Sequence, residues 1–239
     1  MENIIVTENA YNLNNILYLQ NTLSELFGHT GCSVRQTEYG GRAGLIIDCP
    51  EEYREIVGSE LADRAAEIIA VHYKYDFFRQ TLAVSGLCAV ENEILFASLI
   101  AADLDDDKKY AFRRFEGLSQ IAIDGVYNFR LQQLKNKWKD IAEYMPRVFI
   151  NTQLKDFISY MLEGRKKRVY VDDGKVYDAH YRILKRCALL GGEGAQITRE
   201  VLLSGGGEVE LSGRLEKDDE YYLKEYYGDK IYFSAGKLS

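Results

Sequence analysis

The densest group of potential oxygen ligands in this sequence is Asp103–Asp107, which contains four aspartates. Carboxylates at alternate positions bind hard cations in calcium loops. The calcium-loop pattern fails here because Lys108 stands where the sharp-turn glycine belongs and Arg114 where the bidentate glutamate belongs. We therefore expect an acidic turn between helices, and we assign no metal ligand and no cofactor.

Two glycine clusters raise the question of a phosphate-binding loop. Backbone amides at a glycine turn that opens a helix bind anions, and Gly191–Gly194 precedes a predicted helix at Gln196–Leu203. The dinucleotide fingerprint fails because its third glycine would fall on Ile197, and no GxxxxGK[ST] sequence occurs. We interpret Gly191–Gly194 and Gly205–Gly207 as loops, and an enzyme that uses a metal or phosphate ligand is kept as an alternative function.

Motifs of the common hydrolases are missing from the sequence. It contains neither GxSxG nor HExxH. A catalytic triad is assembled in space, so the sequence neither assigns nor excludes one. We assign no catalytic residue and favour a function without catalysis.

Charge is distributed unevenly along the chain. The whole sequence has a formal net charge of −7, whereas residues 113–168 contain 12 Lys and Arg against 6 Asp and Glu. That region ends in the basic segment, which we define as Arg165, Lys166, Lys167 and Arg168. Cations there either complement a helix C-terminus or bind a polyanion, such as nucleic acid or an anionic surface. Polyanion binding is a second alternative function, although the negative total charge argues against a general nucleic-acid coat.

Tyrosines near the C-terminus are a candidate contact surface. Tyrosine is enriched at interfaces because its ring buries area while its hydroxyl group finds a partner. The residues concerned are Tyr221, Tyr222, Tyr226 and Tyr227. Together with several amphipathic helices, they favour a non-enzymatic protein-interaction module whose partner is another protein or a second copy of this chain.

The elements that position these residues predict an α+β fold with two domains. The first, residues 1–83, reads as a β-α-β-β-α unit with strands at Asn3–Thr7, Cys32–Glu38 and Ala43–Asp48. The second, residues 84–239, reads as a mainly helical domain with C-terminal β-elements.

Two patterns are prominent in the second domain. Apolar residues at helical spacing predict one continuous helix over Ile121–Tyr144. Asp173–Gly174 between alternating runs predicts a β-hairpin, which is followed by short mixed helices and strands.

Cysteine usage and hydropathy predict a cytoplasmic protein. The four cysteines are scattered without a CxxC pair, which favours reduced thiols over a disulfide framework. The first residues lack the basic and apolar parts of a secretory signal. The longest apolar stretches are about half of what a membrane-spanning helix requires, so we expect no membrane span.

Two segments resemble the YtxC-like family of putative sporulation proteins. Ile121–Leu131 matches the family's I-x-x-x-G-F-x-x-F-R-L helix except that Val126 replaces phenylalanine. Gln153–Met161 is similar to its E-Y-x-x-F-I-x-x-L helix, with Gln153 in place of the acidic residue. The family's closing Ala-Pro-Lys-Lys-Ile segment is loosely echoed at residues 228–232. The resemblance implies a cytoplasmic protein of endospore-forming bacteria and brings no catalytic residues with it.

Overall fold

The structure, a computed structural model, describes residues 3–234 and has the α+β class expected from the sequence. These residues form two compact units. We call residues 3–74 and 105–141 the N-terminal unit, and residues 75–104 and 142–234 the C-terminal unit. Each unit contains residues from both sides of residue 83. The units therefore do not test the predicted domain boundary at that residue, which stays a prediction.

Regular elements occupy most of the described chain. The strands are β1 (Ile4–Asn9), β2 (Ser33–Tyr39), β3 (Arg42–Asp48), β4 (Gln120–Ala122), β5 (Arg168–Asp172), β6 (Lys175–Tyr177), β7 (Ile183–Leu184), β8 (Glu208–Ser212) and β9 (Ile231–Phe233). The helices are α1 (Leu13–Thr30), α2 (Arg54–Ile68), α3 (Lys74–Thr81), α4 (Ala89–Ala102), α5 (Leu104–Phe115), α6 (Ile123–Arg130), α7 (Gln132–Tyr144), α8 (Asn151–Leu162), α9 (Gln196–Leu203) and α10 (Lys217–Tyr227).

The sheet of the N-terminal unit has the strand order β2-β3-β1-β4. Strands β1 and β2 flank β3 in antiparallel orientation, and β4 runs parallel to β1. Alternate residues of β1 and β3 form the core, and α1 packs on both strands and on α2. The predicted β-α-β-β-α order is therefore confirmed, with β4 added from later in the chain.

A π-helical turn at Ile69–Tyr73 joins α2 to α3. The chain stays helical through Gly58, and the hydrogen-bonding pattern changes eleven residues later. Such turns insert an extra residue into a helix and are frequent at functional sites.

The prediction of one helix over Ile121–Tyr144 is wrong. Its first residues pair with β1 as strand β4, with Val6 opposite Ile121. The remainder is divided between α6 and α7 at the buried residue Leu131, whose backbone leaves the helical region at φ −114° and ψ 29°. Strand pairing with β1 satisfies the backbone groups of Gln120–Ala122, so tertiary contact outweighs the local helical spacing.

The sheet of the C-terminal unit has the order β7-β6-β5-β8-β9. The predicted hairpin is confirmed: β5 and β6 are antiparallel around Asp173 and Gly174, which both have positive φ. Strands β8 and β9 extend the sheet in parallel. Helix α9 packs against α4 and α10, and α10 also packs against α8.

Within residues 3–234, no helix is both long enough and apolar enough to cross a membrane.

Candidate anion-binding site

Asp107 is an ion-pair partner inside the N-terminal unit. Its buried carboxylate accepts hydrogen bonds from Lys74 Nζ at 2.7 Å, Lys137 Nζ at 2.6 Å and Trp138 Nε1 at 2.8 Å. Those donors occupy the oxygens that a cation would need. Among the residues that the structure describes, no three His, Cys, Asp or Glu side chains are grouped to hold a metal ion.

The basic segment makes contacts within the C-terminal unit. Arg168 donates to the carboxylate of Glu208 at 2.8 and 3.0 Å, and Arg165 and Lys167 donate to main-chain carbonyl groups. Lys166 is exposed. Polyanion binding through this segment stays a prediction, but much of its charge already has partners inside the fold.

The candidate tyrosine surface is mostly inside the C-terminal unit. Tyr222, Tyr226 and Tyr227 are 8%, 5% and 2% exposed, whereas Tyr221 is 57% exposed. Helix α10 turns its apolar face toward α8 and α9, which places three of the four rings in the core. Among these four, only Tyr221 presents its ring to solvent.

The two glycine clusters differ in their surroundings. A Cβ added at Gly207 would collide with the backbone of Arg165, so this glycine allows two chain segments to cross. Gly191–Gly194 instead covers a polar cluster. A Cβ at Gly192 would collide with the carboxylate of Glu93, and one at Gly191 would lie 3.1 Å from the ring of Tyr75.

Arg199 of α9 lies beneath this glycine loop and is 0% exposed. Its Nη1 donates to the carbonyl oxygen of Gly191 at 2.8 Å and to Glu93 Oε2 at 3.3 Å. Its buried Nε and Nη2 atoms have no hydrogen-bond acceptor among the described residues. One side of the guanidinium is thus anchored, and the opposite edge has unused donors.

That unused edge has a defined chemistry. The Nε–H bond and one Nη2–H bond of an arginine point in the same direction, in a planar fork that matches two oxygens of a carboxylate or phosphate group. Since the group keeps its positive charge inside proteins, a bound anion would add to the charge compensation that Glu93 provides. The geometry therefore suits an anion with two adjacent oxygens.

The N-terminus of α9 is not itself free for an anion. Asp219 Oδ1 accepts hydrogen bonds from the backbone N–H of Thr198 at 2.7 Å and from its hydroxyl group at 2.8 Å. A side-chain carboxylate from α10 therefore already occupies the position where the sequence pattern suggested a ligand. Arg199, one residue farther along, supplies the open donors instead.

Glu93 and Tyr75 fix the anchored side of Arg199. Tyr75 donates its hydroxyl proton to Glu93 Oε2 at 2.8 Å, on the same oxygen that Arg199 contacts. Burial, and then the bond to Glu93, raise the pKa of Tyr75, which keeps its hydroxyl group protonated as a donor. The side chains of α3, α4 and α9 thus hold Arg199 in one orientation.

Reasoning from the sequence missed Arg199. The signal that marks it is a charged pair, Arg199 and Glu200, directly before the apolar residues Val201–Leu203 of a short helix. Both residues are buried, and Glu200 accepts backbone N–H bonds from Arg186 at 3.1 Å and Cys187 at 2.6 Å. Charged residues on the buried side of a helix require partners.

A second buried carboxyl group lies in the N-terminal unit. Glu8, 0% exposed at the end of β1, accepts hydrogen bonds from the Tyr73 hydroxyl at 2.9 and 3.0 Å and from the Asn9 backbone N–H at 2.7 Å. Burial raises the pKa of Glu8, and these hydrogen bonds oppose the rise. Its oxygens have protein donors, so the group ties β1 to the π-helical turn.

Comparison with protein-family models gave no match, and comparisons with curated proteins and with solved structures gave none either.

Proposed function

We propose that this protein binds a small molecule through a carboxylate or phosphate group held by Arg199. The observation that carries the proposal is a fully buried guanidinium whose Nε and Nη2 atoms have no acceptor among residues 3–234. A buried donor without a partner costs about 1–3 kcal/mol, and charged groups cost more. A ligand that supplies two oxygens would remove this cost.

Preorganisation supports the same function. Glu93 and the Gly191 carbonyl group hold Nη1, so the open edge of Arg199 does not need to be ordered when a ligand arrives. Ordering a free arginine side chain on binding would cost about 0.5–1.5 kcal/mol. The contacts of Arg199 within the protein therefore favour binding at its remaining edge.

Ligand entry would pass the glycine loop. Gly192 is exposed, while its neighbour Gly191 contacts Arg199 directly. Three of the four residues of Gly191–Gly194 are glycines, so the loop beside the anchored Nη1 carries little side-chain material and its backbone can move readily. We expect this loop to shift when the anion binds.

Thermal unfolding with defined anions tests the proposal. We would measure Tm across a concentration series of inorganic phosphate and, separately, acetate, at constant ionic strength. At 100 times Kd a ligand stabilises by about 2.7 kcal/mol, which corresponds to a Tm rise of roughly 5–11 °C for a chain of this size. Arg199→Lys removes the planar fork and keeps the charge, so it should lose most of this response.

The matched control is Arg182→Lys, because Arg182 is an ion-paired arginine of the same unit with a 75% exposed side chain. It should respond to anions as the original protein does. No saturable rise with either anion, or an equal rise in Arg199→Lys and the original protein, would contradict the proposal. A water molecule that accepts the open hydrogen bonds of Arg199 in place of an anion would give either result.

A second proposal is that the C-terminal unit also contacts another protein. It is supported by Tyr160, 76% exposed on α8, and Tyr221, 57% exposed on the adjacent α10. Replacing both tyrosines with alanine should weaken self-association or partner capture, measured by light scattering after gel filtration. Tyr39→Ala, at an 89% exposed position in the N-terminal unit, is the control, and an equal effect of the control would reject this surface.

The biological context is proposed only through the resemblance in α6 and α8. If it holds, the protein works in the cytoplasm of endospore-forming bacteria, with a role in sporulation. Deleting the gene in such a bacterium and counting heat-resistant spores tests this context independently of the ligand. Normal spore counts would contradict the proposed role in sporulation.

A further inference from the structure

Cys32 and Cys49 lie together at one end of the sheet in the N-terminal unit. Their sulfur atoms are 2.7 Å apart although the residues are 17 positions apart in the chain. This separation is roughly 0.7 Å longer than a covalent S–S bond. Both cysteines are free thiols in this structure.

Strand register explains why they meet. Ser33 of β2 pairs with Asp48 of β3, so Cys32 and Cys49 occupy the next opposing position beyond the ends of these strands. Opposing residues of antiparallel strands have Cα atoms about 4.5–5.5 Å apart, which lies within the range of about 4.4–6.8 Å that a disulfide spans. The backbone therefore needs no rearrangement to accommodate a bond.

The two thiols differ in access. Cys32 is half-buried, whereas Cys49 is 7% exposed. Burial, and then the contact with Cys32, raise the pKa of Cys49 to about 12. Since the thiolate is the attacking species, we expect the more accessible Cys32 to react first and Cys49 to complete the bond from close range.

We propose that Cys32 and Cys49 form a reversible intramolecular disulfide with a low-molecular-weight disulfide as the oxidant. The Cys32 thiolate attacks one sulfur of the oxidant, forms a mixed disulfide and releases one thiol. Cys49 then attacks the Cys32 sulfur, gives up its proton to solvent and releases the second thiol. The protein loses two protons and two electrons, and the oxidant is reduced to two thiols.

The bond would link β2, the edge strand of this sheet, to β3. It would close the hairpin at its open end, opposite the turn at Gly40 and Gly41. A cross-link of this span restricts the unfolded chain and stabilises the folded state. The inference is independent of the anion site, which lies in the C-terminal unit.

To test the proposal, the full chain is incubated with oxidised glutathione, and the glutathione is then removed. We expect loss of two thiols, a non-reduced peptide that joins Cys32 to Cys49, and a Tm rise of roughly 5 °C or more that dithiothreitol reverses. The variant Cys32→Ser/Cys49→Ser should keep the reduced Tm under both conditions. Cys88→Ser, which replaces the exposed cysteine of the C-terminal unit, should still form the bond.

Two results would overturn the inference. One is that Cys32 and Cys49 both stay reduced, or carry only bound glutathione, at equilibrium with the oxidant. The other is a disulfide that joins two chains through Cys88, with no peptide that links Cys32 to Cys49.

Discussion

Replacing Asp107 with asparagine should cost the N-terminal unit about 3–5 kcal/mol. Asp107 is 1% exposed, and it pairs with Lys74, which is 0% exposed. Breaking a buried ion pair by removing one partner has a cost of about this size, because the remaining buried charge loses an ion-pair partner. Lys137, whose side chain is 42% exposed, can turn to solvent, so we assign the cost mainly to the buried lysine.

Asp106→Asn is the matched control. It is exposed in the same first turn of α5, where a carboxylate gains about 0.3–1 kcal/mol from the helix dipole. Both variants lose that contribution, so the difference between their free energies of unfolding measures the loss of the buried ion pairs of Asp107. Urea unfolding would measure it: with an m-value of about 3 kcal/mol/M, the midpoint of Asp107→Asn should fall by about 1–1.7 M.

A cost within about 1 kcal/mol of the control would refute this reasoning. The variant Lys74→Met/Asp107→Leu provides a second check. Replacing a buried ion pair with apolar groups of similar volume is often neutral or stabilising. It should therefore unfold at a higher urea concentration than Asp107→Asn.

Two further predictions concern the pH dependence and the backbone of the protein. Because the folded-state pKa of Glu8 is raised, the protonated acid stabilises the fold below the unfolded pKa, and this contribution is lost as pH rises through the folded pKa. The free energy of unfolding of Glu8→Gln, measured in urea, should therefore rise relative to that of the original protein as the pH increases from 4 to 8. A difference between the two proteins that does not change with pH would contradict the assignment. Gly207→Ala should destabilise by more than 1 kcal/mol because its Cβ meets the Arg165 backbone, whereas Gly58→Ala, in open space within α2, should stabilise by about 0.5–1 kcal/mol. Equal effects of the two substitutions would show that these surroundings do not decide the outcome.

Local patterns predict much of the fold. Apolar, β-branched residues predict β1, the glycines of the turn at residues 39–42 predict the hairpin of β2 and β3, and Asp173–Gly174 predicts the hairpin of β5 and β6. These signals depend on neighbours in sequence. The helix over Ile121–Tyr144 fails for the opposite reason. Its first residues form β4 only because β1, more than a hundred residues earlier, offers a free edge in parallel register.

The candidate sites depend still more on distant contacts. The sequence places Cys32 and Cys49 at the ends of two predicted strands, but only the register of β2 with β3 brings their sulfur atoms together. The neighbouring sequence alone does not predict a role for Arg199. Its candidate role depends on its contacts with Glu93 and Gly191, which α4 and a loop bring to it. Tyrosine enrichment alone does not say which rings face solvent, because the packing of α10 decides it.

Counting hydrogen-bond partners separates buried charges that hold the fold from those suited to a ligand. Asp107 has three donors on its two oxygens, and Glu8 has donors from Tyr73 and Asn9, so each is satisfied by its own unit. Arg199 has acceptors on Nη1 alone, although burial makes every unused donor expensive. The ion pair with Glu93 explains a charge at this position, but it uses Nη1 alone. The proposed anion would accept hydrogen bonds from Nε and Nη2, the two donors that the ion pair leaves open.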